Sequence, residues 1–140
     1  MSNELNSGYA SEAMVKEAFD LLPKYINHIQ NSSKDLASRI FNEQAYSEDL
    51  GPLIDKVSSL IRLFSIVHSE AKLICQDSSS NESVKGIKIH LLSILKAIKS
   101  AYLDQDRILL ADLLEYELQD NLTQWKISVI PMLKRMTRHS

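Results

Sequence analysis

Glycine and proline are scarce, with three of each in 140 residues. Antiparallel sheets need tight turns, and those turns draw on Gly, Pro and Asn-Gly pairs. No tract alternates apolar and polar residues with β-branched enrichment, so sheet architectures are excluded. Cys75 is the only cysteine; it permits no internal disulfide and points to a reducing compartment. No apolar run approaches the roughly 20 residues that span a bilayer. The opening Met1-Ser2-Asn3-Glu4-Leu5 has neither a basic nor an apolar leader, so the expectation is a cytoplasmic protein with no membrane contact. The formal charge is −2, which withholds the basic surplus of a nucleic-acid binder.

Sites of known chemistry are also missing. A di-iron bundle needs Glu-x-x-His pairs, one helical turn apart. No Glu here has a His three residues on, and neither His-x-x-x-His nor Cys-x-x-Cys occurs, so no metal and no cofactor is expected. A glycine-rich phosphate loop and a Gly-x-Ser-x-Gly turn are absent too, which lowers the case for an enzyme.

What the chain does have is helical periodicity. Residues 1–9 are polar and read as a flexible tail before a single domain over 10–140. A helix over 11–30 carries Val15, Ala18, Phe19, Leu22, Tyr25, Ile26 and Ile29 at intervals of three and four. Pro23 on its polar side is expected to kink it. Asn31-Ser32-Ser33 reads as a break before a shorter helix over 34–45, with Leu36, Ile40 and Phe41 inward; one bent helix is the alternative. Ser47 to Pro52 has the caps of a helix start, and the stripe from Leu53 to Ile74 continues it. Residues 76–83 read as a mobile polar loop. A helix over 84–103, with Val84, Leu91, Ile98 and Tyr102 among its inward residues, and another over 107–136 follow, joined by Asp104-Gln105-Asp106. Pro131 is expected to interrupt the last one. Two long helices joined by three residues must pack antiparallel. The fold class is therefore all-α: an up-and-down bundle of four to five helices whose C-terminal hairpin spans 84–136.

Four features compete for function. His68 falls within the apolar arc of its helix. A histidine phosphotransfer bundle has Lys and Gly three and four positions after its His; Ala71 and Lys72 stand there, so a core or boundary histidine is favoured. Lys85, Lys88, Lys96 and Lys99 fall within about 80° of one another, with Leu92 among them and Ile89 beside them. That is either a partner-binding face or an ordinary solvated one. Asp112, Glu115, Glu117 and Asp120 form an acidic counterpart, with Glu117 close to the core stripe and in need of a partner if partly buried. Trp125, Met132 and Met136 are core residues, or a sticky surface if the helix end overhangs the bundle.

The run Leu109-Leu110-Ala111-Asp112-Leu113-Leu114-Glu115-Tyr116-Glu117-Leu118, followed by Trp125, resembles a family of small, functionally uncharacterised helical proteins of Gram-positive bacteria. Their long C-terminal helix carries L-x-A-D-L-L-E-Y-E-L, then a Pro; Gln119-Asp120 stands here instead. The resemblance implies a helical bundle with an adaptor or chaperone-like role near motility functions, and it assigns no catalytic residue. The functional expectation is a non-enzymatic bacterial protein that binds a protein partner or itself, through the Lys85–Lys99 face or the Trp125–Met136 end. A phosphotransfer module and a structural homo-oligomer are the alternatives.

Overall fold

The computed structural model describes residues 2–75 and 81–138. Four helices run up and down: α1 Ser2–Phe41, α2 Ser47–Cys75, α3 Asn81–Leu103 and α4 over residues 107–138. The fold is an all-α bundle. The expected break at residues 31–33 does not occur, and α1 is one helix of 40 residues that also takes in the stretch read as a tail. Ser33 explains the continuity. It is fully buried and its Oγ donates to the Leu114 carbonyl of α4 at 2.6 Å. A residue that favours caps and turns in isolation is held inside a helix by a partner 81 positions away. Part of the expected loop over 76–83 lies outside the described residues; α3 begins at Asn81.

Two turns close in the same way. Glu43 (φ 60°) and Gln105 (φ 58°) adopt the left-handed conformation just past α1 and α3. Gln44 N–H donates to Arg39 O and Asp106 N–H to Ala101 O, each five residues back, which completes Schellman caps without glycine. Asp106 then caps α4, its carboxylate accepting from Leu109 N–H at 3.1 Å. Arg107 ties these ends together. It donates to the Ile40 carbonyl at 2.9 Å and lies over the Tyr46 ring at 5.1 Å.

The core is one apolar cluster drawn from all four helices, and α4 touches the other three. Leu110, Leu114, Leu118 and Leu122 are each fully buried. In a regular α-helix a step of four residues rotates by about 40°, so these four leucines would drift by about 120°. A wide π turn within this run, Leu113–Glu117, corrects the drift, and a second follows at Trp125–Val129. In the first, Leu118 N–H donates five residues back to Leu113 O. In the second, Ile130 N–H reaches Trp125 O just before Pro131, which has no N–H to give. Pro131 therefore does not end the helix. Three sequence expectations fail here. Phe41, expected inward, is exposed at the end of α1, and Tyr102 is partly exposed, edge-on to Tyr46. Glu117, expected near the core, is turned out to solvent by the π turn, while Gln119 is turned in.

Candidate partner-binding faces

The structure separates the nine candidate contact residues into two groups. Trp125 is fully buried and stacks on Phe64 of α2, centroids 3.5 Å apart and planes 4° from parallel. Met136 is buried and Met132 packs half-buried against the core. The C-terminal end of α4 does not overhang, because α2 runs alongside it and covers this stripe. The sticky-end reading is corrected accordingly: Trp125 and Met136 have no surface to offer.

The α3 group is where a docking surface needs it to be. Leu92 is 46% exposed and Ile89 55%. Lys85, Lys96 and Lys99 are exposed, and Lys88 is half-buried. None of the four lysines has an ion pair or hydrogen bond among the described residues. The opposite side of α3 packs inward through Val84, Leu91, Ile94, Leu95 and Ile98. Leu92 is out because it sits about 100° from Leu91 on the helix.

His68 lies in the seam between α2 and α3. Its Nε2 is buried with no hydrogen-bond partner. Burial pushes its pKa below the usual 6.5, and Lys72 and Lys88 push it further in the same direction. Attack on a phosphodonor needs an open ring nitrogen, which Nε2 of His68 is not.

A cavity of about 500 Å³ opens beside the first π turn, between His90 and Ser93 of α3 and Asp112, Tyr116 and Glu117 of α4. The polar network behind it sets the tautomer of His90. Trp125 Nε1–H, a donor only, donates to Asn121 Oδ1 at 3.0 Å. The Asn121 amide nitrogen therefore faces the Ile87 carbonyl and His90 Nδ1, each at 3.1 Å. His90 Nδ1 accepts, and the neutral ring carries its proton on Nε2. This network positions α3 on α4, and the exposed carboxylates at the cavity mouth remain surface groups.

A second groove, about 700 Å³, runs between α1 and α2 over Leu21, Tyr25, Leu63 and Ile66. Lys24, His28 and Arg62 edge it. Among the described residues, no group of three or more His, Cys, Asp or Glu side chains is placed to hold a metal ion. No helix of the described residues is long and apolar enough to cross a membrane.

Residues 13–128 match a protein family described as a domain of unknown function, DUF8042. The chain belongs to this family. No curated protein and no solved structure matches it. The DUF8042 match runs from α1 through most of α4, so it takes in most of the core, the first π turn and the whole α3 face.

Proposed function

We propose that this DUF8042 protein is a non-enzymatic docking module, an adaptor or chaperone-like protein that binds a helix of another protein on the outer face of α3. One observation carries the reading: Ile89 and Leu92 stand exposed amid four unpaired lysines, on a helix whose other side is fully committed to the core. Apolar side chains ringed by polar ones are the usual anatomy of a helix-binding patch. The backbone beneath is continuous α-helix packed on the core, so docking requires no refolding of the bundle. The C-terminal resemblance adds a motility-related bacterial setting to the proposal, and the lone Cys75 a cytoplasmic one.

An affinity-tagged copy and its Leu92→Asp variant test it together. The expected result is one dominant protein retained by the parent and lost by the variant, with unchanged circular dichroism. Equal recovery by both, or recovery of nothing by a strictly monomeric parent, overturns it. A mass that rises with concentration and reverts in the variant would instead favour the homo-oligomer.

A further inference from the structure

The lysines of α3 are placed symmetrically about Leu92. Lys85 and Lys88 lie seven and four residues before it; Lys96 and Lys99 lie four and seven after it. Steps of four and seven return to nearly the same side of an α-helix, about 40° and 20° off. One leucine is thus flanked by a pair of cations one to two turns away in each direction, over about 20 Å of helix.

No carboxylate interrupts this face. From Lys85 to Lys99 the helix contains no Asp or Glu. The seam beside it adds His68 and Lys72 from α2, both half-buried, and Lys88 leans towards them. Five lysines therefore share one side of a chain whose net charge is −2, and none of them has an ion pair among the described residues. The α1–α2 groove differs, because its basic residues, Lys24, His28 and Arg62, are not spaced symmetrically about one apolar anchor.

Building on the proposed docking role, we infer that the partner segment is an acidic amphipathic helix, with an apolar anchor that meets Leu92 and Ile89 and carboxylates four and seven residues to either side. Such pairing contributes mainly to specificity and association rate, while the apolar anchor supplies most of the affinity. The face is a poor fit for nucleic acid: from Lys85 to Lys99 it contains no Phe, Tyr or Trp on which a base could stack. Two exposed apolar side chains are also too few to seat a helix in a bilayer interface.

The test uses the full chain and synthetic helical peptides of about 18 residues, long enough to hold three turns around the anchor. One has a Leu anchor with Glu at four and seven residues on each side; its twin has Gln there, and a third has Lys. Fluorescence anisotropy should show the Glu peptide binding about tenfold tighter than the Gln twin, with the advantage shrinking as salt rises. Backbone chemical shifts should move around Lys88, Leu92 and Lys96. The double variant Lys88→Glu/Lys96→Glu should reverse the preference towards the Lys peptide, and Leu92→Asp should abolish binding of all three. Both variants change exposed or half-exposed positions, and circular dichroism checks that they fold.

Equal affinity for the Glu and Gln peptides, lost in Leu92→Asp, overturns the acidic assignment and leaves the docking role standing. No binding of any peptide overturns both. Shifts centred on Leu21 and Ile66, or Glu-peptide binding that survives Leu92→Asp, overturn the assignment to this face. Tighter, Leu92-independent binding of a single-stranded RNA overturns it in favour of nucleic acid.

Discussion

The two π turns of α4 solve different problems with different chemistry. The first, Leu113–Glu117, diverts a backbone hydrogen bond and is repaired by polar groups. The Leu114 carbonyl accepts from Ser33 Oγ at 2.6 Å and from Gln119 Nε2 at 3.1 Å. Gln119 also donates to the Gln30 carbonyl, and Gln30 Nε2 returns a bond to the Gln119 carbonyl at 3.3 Å. The second turn, Trp125–Val129, is held by apolar packing: Trp125 lies flat on Phe64, and Val129 and Ile130 are buried behind it. Its diverted hydrogen bond falls next to Lys126, Ile127 and Ser128, the exposed or half-exposed arc of the helix, where water can serve the backbone. A wide turn needs polar clips only where its freed carbonyl faces the interior.

The largest effect should come from the apolar turn. Trp125→Ala removes the biggest buried side chain and is expected to cost about 3–5 kcal/mol in urea unfolding. A loss below about 1 kcal/mol would mean that the Phe64 stack is not what holds the second turn. The polar turn should show coupling instead. Ser33→Ala leaves Gln119 on the Leu114 carbonyl and should cost about 1 kcal/mol. Combining it with Gln119→Leu orphans that carbonyl, so the double variant should lose about 1–2 kcal/mol more than the sum of the singles. Simple additivity in that cycle would show that the clips act separately.

Smaller effects sharpen the contrast. Pro131→Ala restores an N–H beside the second turn and should change stability by no more than about 1 kcal/mol. Hydrogen exchange should tighten around residues 126–131 and stay unchanged around 113–119. Any pH response should sit on the apolar side, where His68 lies one turn beyond Phe64 on α2. Burial, then Lys72 and Lys88, hold its folded pKa below 6.5, so the native state favours the neutral ring. The stabilisation is complete above the unfolded value and is lost as pH falls through the folded one. Urea midpoints taken at intervals below about pH 7 should fall less in His68→Gln than in the parent. Identical pH profiles for the two proteins would remove His68 from the account.

Much of the fold was legible in the sequence because burial stripes and caps are local. The α3 stripe and its exposed lysines follow from spacing alone, and so does the Asp106 cap. Ser33 was misread because its short polar side chain favours a break until Leu114 O is placed against it. The first π turn did leave a trace, the leucine interval of four at 110, 114, 118 and 122, which is longer than the 3.6 residues of an α-helical turn. Read that way, the interval anticipates both the turn and the outward swing of Glu117. The α3 face was the readable half of the candidate site. The Trp125–Met136 half was not, because whether a helix end overhangs depends on the length of its neighbour.

By itself, then, the sequence determined four to five amphipathic helices, their order and the polarity of most faces, since these depend on residues within a few turns of one another. The tertiary structure decided where α1 fails to break, how α4 stays in register, and which apolar side chains remain outside. Those outcomes depend on groups such as Ser33 and Leu114, or Phe64 and Trp125, which meet only when distant parts of the chain are packed together.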